Sequence, residues 1–187
     1  MKTLKPLVLT VLLVVSLAPV FAQVTGRDPL TEQESDDLRE AAQEPEKRLK
    51  LYLKYTHARL DAIDQLRGDP KLASGRGKQV HDLLEDFTKL MDEMDDNIDD
   101  YADRHEDLRK PLKDVIQANS EYQVKLRTLK EQGPPPGAKA DEASEYSFVL
   151  QNAVEAVNTS LDDARKLLEE QEQYFKQKKE EEKKKKK

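Results

Sequence analysis

The sequence predicts an all-α protein: an elongated antiparallel three-helix bundle, or coiled coil, built on one long central helix. Three observations lead there. An apolar 4,3 repeat runs from Val80 through Leu84, Phe87, Met91, Met94, Ile98 and Tyr101, then through Leu108, Leu112, Val115, Tyr122 and Leu126 to Leu129. It keeps its phase across the two polar seam positions, His105 and Asn119. A repeat near 3.5 residues holds one narrow stripe against a partner helix. Two clusters of helix breakers, at 68–77 and 133–137, divide the chain into long periodic stretches. Charged residues make up 37% of the 187 positions and aromatics 5%. That is too polar for a thick core and too periodic for disorder.

Residues 1–22 read as a secretory signal peptide. Lys2 and Lys5 form the basic start, Leu7 to Leu17 the apolar run, and Val20-Phe21-Ala22 a small-x-small cleavage site, so cleavage is expected after Ala22. The rival reading, a retained anchor, is opposed by Pro19 and by a run shorter than the ~20 residues a span needs. The expected localisation is therefore exported, periplasmic or extracellular. The chain has no cysteine, so packing replaces the disulfides this compartment permits.

Residues 23–30 form a flexible lead-in, broken by Gly26 and Pro29. The helical domain is expected over 31–178. Thr31 and Glu34 have capping-box spacing, which satisfies two free amides at a helix start. Pro45 falls inside the first helical pattern and reads as a kink or as the first position of a second helix. The central helix is expected from Lys78 to the proline run at 134–136. Pro111 is its one internal breaker, read as a kink because the seam keeps its phase there. The alternative is a four-helix up-down bundle with a break near Pro111. The last helix runs from Asp141 to at least Lys178, with Leu150, Val154, Val157 and Leu161 on its seam.

Folding the chain at its two turns brings the seams together. The first hairpin pairs Leu53 with Met91 and Leu49 with Met94. It also sets Lys47, Arg48 and Lys50 beside Asp96, Asp95 and Glu93, opposite charges that fix register. The second hairpin pairs Leu150 with Tyr122, Val157 with Val115, and Asn119 with Ala153.

Chemistry-bearing residues are sparse. Asp92, Asp96, Asp99 and Asp103 share a helix face and are the candidate ligands for a hard divalent cation. No Asp/Asn/Gly calcium loop accompanies them, and a charge-matched, solvated face explains them equally. Neither His57, His81 nor His105 has the Glu three positions earlier that a di-iron bundle uses. His105 reads as a seam residue bonded to Tyr101. Asn119 reads as a register device. The serines show no nucleophile–base pattern, and a thin bundle offers little concave volume. The chain is therefore expected to be no enzyme and to hold no cofactor.

Residues 179–187 form a Lys/Glu-rich low-complexity tail. Eight lysines and three glutamates over 176–187 contrast with a net charge of −6 for the whole chain. Such a block reads equally as a solvated low-complexity end or as a contact segment for an anionic membrane surface or an acidic protein, or as a fold-back onto the acidic run. Nucleic acid is not the expected partner. Together these features point to a non-catalytic, exported helical interaction or scaffold protein. The alternatives are a holdase-like periplasmic chaperone and a divalent-cation binder acting through the acidic helix.

Overall fold

A computed structural model of the chain describes residues 27–138 and 141–185. The expected signal peptide and its cleavage site lie outside them. The described residues are all-helical, with five helices packed against one another. None of these helices is long and apolar enough to cross a membrane.

Helix α1 (Glu32–Glu40) begins on the capping box: Glu34 N–H donates to Thr31 Oγ1 at 3.2 Å, and Thr31 N–H to Glu34 Oε2 at 2.9 Å. It stops before Pro45, which is the first residue of α2 (Pro45–Gly68). A proline is at ease there, because the first-turn amides have no intrahelical acceptor. Arg59 of α2 clasps α1 through Glu34 at 2.6 Å and the Pro29 carbonyl at 2.7 Å. After a single 3₁₀ turn (Pro70–Leu72), α3 spans Arg76–Asp103.

The single long central helix is corrected here. Helix α3 ends at Asp103 and α4 (Arg109–Gln132) is a separate element. The stop is a Schellman motif with His105 in the left-handed position, φ 58°. His105 N–H bonds the Ala102 carbonyl at 2.8 Å, and Glu106 N–H bonds the Tyr101 carbonyl at 3.1 Å. Pro111 sits in the first turn of α4, where its missing N–H costs nothing, so it neither kinks nor breaks a helix.

Contacts give the directions. Tyr101 OH donates to the Ala42 carbonyl and Asn97 Nδ2 to Tyr52 OH, so α3 runs back along α2. Helix α4 runs with α2: Lys110–Glu46, Thr56–Tyr122 and Arg67–Gly133 keep separations of 64, 66 and 66 residues. Helix α5 (Glu142–Lys185) runs with α3, with Arg76–Glu142 and Asp95–Ser160 separated by 66 and 65 residues. It is antiparallel to α4, where separations shrink from 41 at Asn119–Ser160 to 21 at Lys130–Gln151.

The expected seams are buried in one core. Leu49, Leu84, Phe87, Met91, Met94, Leu112, Val115 and Val157 are fully enclosed, each apolar side chain contributing roughly 1.5–3 kcal/mol. Tyr122 crosses the centre. Its hydroxyl lies 2.9 Å from Thr56 Oγ1 and donates to the Leu53 carbonyl at 3.0 Å, and its ring packs edge-on to Phe87 at 5.4 Å.

The second hairpin register is also corrected. Asn119 meets Ser160 rather than Ala153, and Gln123 meets Asn158. Helix α5 is thus displaced by about two turns. It starts only at Glu142, where a buried ion pair, Arg76 Nε to Glu142 Oε1 at 2.7 Å, anchors it to the start of α3. Gly77 makes this approach possible: a Cβ there would lie 2.8 Å from Glu145 Cδ and 3.1 Å from Glu142 Cγ. At its other end α5 continues as helix to Lys185, beyond the minimum expected end at Lys178 and into the expected low-complexity tail. That continuation rules out a fold-back of these residues onto the acidic run.

Candidate functional site

Two features face solvent with concentrated charge: a groove between α3 and α5, and the far end of α5. The groove has a cavity volume of about 320 Å³ and is lined by Asp95, Ile98 and Asp99 of α3 and by Asp163, Ala164, Lys166, Leu167 and Glu170 of α5. The parallel course of α3 and α5 sets these carboxylates side by side.

Asp95 is the least exposed carboxylate of the acidic run. It accepts a hydrogen bond from Ser160 Oγ at 2.7 Å, and Ser160 Oγ accepts one from Asn119 Nδ2 at 2.9 Å. Ser160 and Asn119 are buried, and Asn119 Oδ1 has no partner. The chain of bonds ties α3, α5 and α4 together. Burial pushes the Asp95 carboxyl up to about 7, against the Ser160 bond and with help from Asp92, Asp163 and Asp99. Burial also raises Asp99, with Asp103 and Asp163 adding to it, and raises Asp92, with Asp96 adding to it.

The four candidate cation ligands, Asp92, Asp96, Asp99 and Asp103, are all exposed on α3. Only Asp99 lines the groove. Among the described residues, the grouping of three side chains whose ligand atoms lie within 4.8 Å of one another is His81, Asp82 and Glu85. Cations already occupy two of those: Asp82 pairs with Lys78 at 3.0 Å and with Arg27 at 3.8 Å, and Glu85 with Lys89 at 3.1 Å.

The expected charge matching between α2 and α3 is replaced by other pairs. Lys47 bonds Glu44 at 3.4 Å, and Lys50 bonds Glu46 at 2.7 Å within α2. Glu46 also takes Lys110 of α4 at 2.6 Å. Arg48 lies over the Tyr52 ring at 6.0 Å. His105 is exposed and stacks on Tyr174 at 5.8 Å, while Tyr101 bonds Ala42 instead.

Gln171 closes the α3–α4 turn from α5. Its Oε1 accepts Leu108 N–H at 2.8 Å and its Nε2 donates to the Glu106 carbonyl at 2.9 Å. Gln171 is the last buried residue of α5. Phe175 is half-buried under the Arg109 guanidinium at 4.5 Å, and every described residue from Lys176 to Lys185 is exposed. This final stretch carries six lysines and three glutamates.

Asp95–Ser160–Asn119 and Gln171 escape sequence reasoning. A buried serine on the seam face was the available signal for the first; the displaced α4–α5 register hid its partner. Comparison with protein-family models, with curated proteins and with solved structures finds no match.

Proposed function

We propose that this protein is a non-catalytic, exported interaction or scaffold protein of the cell envelope. Its body is a four-helix up-down bundle with α1 as a short brace, and its contact element is the projecting end of α5. One observation carries the reading. The seams of α2 to α5 cover one another, whereas α5 runs on for ten residues, Lys176–Lys185, with every side chain in solvent. No packing against the rest of the chain supports those ten residues, and in proteins most helical stability comes from tertiary packing, so a partner lying along them would stabilise them. Export rests on the signal-like residues 1–22.

The partner favoured is a protein rather than lipid. Glu180, Glu181 and Glu182 interrupt the lysines, and a lipid surface would repel them. The holdase reading asks for an exposed apolar concavity. Among the described residues, the exposed large apolar side chains are instead dispersed: Leu72 on the 3₁₀ turn, Val124 on α4, and Phe148 and Tyr174 26 residues apart on α5.

A photo-crosslinking residue at Gln177, incorporated in the producing cell, tests the proposal. Discrete adducts from position 177, absent for the same residue at exposed Asp64 on the bundle body, are expected. No adduct from 177, with the chain folded and exported, defeats it.

A further inference from the structure

We propose that the end of α5 docks on a second copy of this chain, in an antiparallel pair of α5 helices centred on Tyr174. The proposal rests on the reading above, that this end is the contact element, and names what it contacts.

One stripe of α5 carries alternating charge on either side of a tyrosine. Asp163, Lys166, Glu170, Tyr174, Lys178, Glu181 and Lys185 follow at steps of three and four, so they share a helix face. All seven are exposed, Tyr174 at 43%. Their charges read minus, plus, minus, Tyr, plus, minus, plus. Reversing the direction inverts every sign, so an antiparallel copy sets opposite charges face to face. With Tyr174 at the two-fold axis, Lys178 meets the other copy's Glu170, Glu181 meets its Lys166, and Lys185 meets its Asp163. Each encounter occurs twice, as a closed isologous contact requires.

Two further observations agree. Among the described residues, Asp163, Lys178, Glu181 and Lys185 make no ion pair in their own chain, and Lys166–Glu170 is stretched to 4.0 Å. The groove gives the incoming helix a place to lie: Asp163 and Glu170 form its α5 wall, Asp99 stands on the α3 wall, and Lys166 supplies a cation for Glu181. The same lysines cannot reach this groove in their own chain, because α5 runs unbroken through both segments.

Exposed ion pairs are individually weak and screened by salt. The expected species is therefore a reversible dimer that dissociates as ionic strength rises. Sedimentation equilibrium of the full chain, purified as the cell processes it, should show an average mass rising toward twice the monomer at high protein concentration in about 50 mM salt, and monomer at about 500 mM. K178E/K185E and D163K/E170K should each weaken association at least tenfold, with helix content unchanged by circular dichroism. The four changes together change the order of signs but set opposite charges face to face again at all three pairings, and should restore the dimer.

A wild-type chain that stays monomeric overturns the proposal, as does a fourfold variant that fails to recover. A monomer that cosediments with anionic vesicles through residues 176–187 overturns it in favour of a lipid surface. If the chain is monomeric while Gln177 crosslinks to a different protein, self-pairing fails and the scaffold reading stands. If 177 gives no adduct of any kind, both fail.

Discussion

Replacing Asp95 by Asn should stabilise this protein at alkaline pH and leave it unchanged in acid. The folded chain holds the Asp95 proton up to about pH 7, whereas an unfolded Asp releases it near 3.8. Between those values the folded state binds the extra proton, so stability falls as pH rises, and above 7 the loss is complete. A tenfold change in proton affinity corresponds to 1.36 kcal/mol, so the full interval amounts to about 4 kcal/mol. Asp95 is not fully enclosed, and about 2–4 kcal/mol is the range expected.

Asn keeps an oxygen to accept from Ser160 Oγ, and its amide would face the groove that Asp99 of the same helix and Asp163 of α5 also line. The variant therefore loses no bond and never ionises. The surrounding groups are otherwise the same in both proteins: Asp92 and Asp99 on α3, Asp163, Lys166 and Glu170 on α5, and neutral Asn119 on α4. Urea unfolding from pH 4 to 9 measures the difference. D95N should gain about 2–4 kcal/mol at pH 8 and roughly nothing at pH 4. Equal slopes for the two proteins between pH 4 and 7, or a less stable variant at pH 8, would refute the burial argument. Other carboxylates, such as Glu46, which two lysine bonds lower to about 2, act on the acid side and cancel in the comparison.

Other perturbations probe the joints of the fold. R76M should cost about 3–5 kcal/mol, because it strands the buried Glu142 carboxylate; R76M/E142L should recover much of that in thermal melts. G77A should cost about 1 kcal/mol at most, because the exposed Glu145 carboxylate can swing clear while Glu142 Cγ, 3.1 Å away and held by Arg76, must yield; E145A in the same chain should change this little, which chemical denaturation reads. Q171L leaves Leu108 N–H and the Glu106 carbonyl unpaired, a loss of about 1–3 kcal/mol, with amide exchange accelerating first at residues 104–108. H105G should raise stability by about 1 kcal/mol, since a left-handed φ is strained for His and free for Gly; a destabilised variant would show that stacking on Tyr174 outweighs the strain.

How much of this was legible in the sequence turns on local against distant information. Leu84, Phe87, Met91, Leu112 and Val115 were readable as core because helical period is local. The Thr31 capping box was readable for the same reason. The α3–α4 break was not, and the cause is specific. A chain reversal normally announces itself with Gly at the left-handed position, and here His105 occupies it. Pro111 drew attention six residues too late, because a first-turn proline marks where a helix starts rather than where the previous one stops. Tyr101 and Leu108 happen to lie one heptad apart across the break, so the seam kept its phase through a turn.

The second error, the α4–α5 register, has the opposite origin. The proline-rich connection was visible, but its reach was set by an anchor 66 residues away, the Arg76–Glu142 pair that Gly77 admits. No local pattern encodes that anchor. It nevertheless decides which groups form the buried polar chain that joins α3, α4 and α5. Displacing α5 by about two turns replaces Ala153 with Ser160 beside Asn119, and brings Ser160 to Asp95. The same displacement determines how far α5 clears the α3–α4 turn, and so how much of its Lys/Glu-rich end stands in solvent. The salt bridge at one end of the fold thus sets the register that leaves the helix exposed at the other.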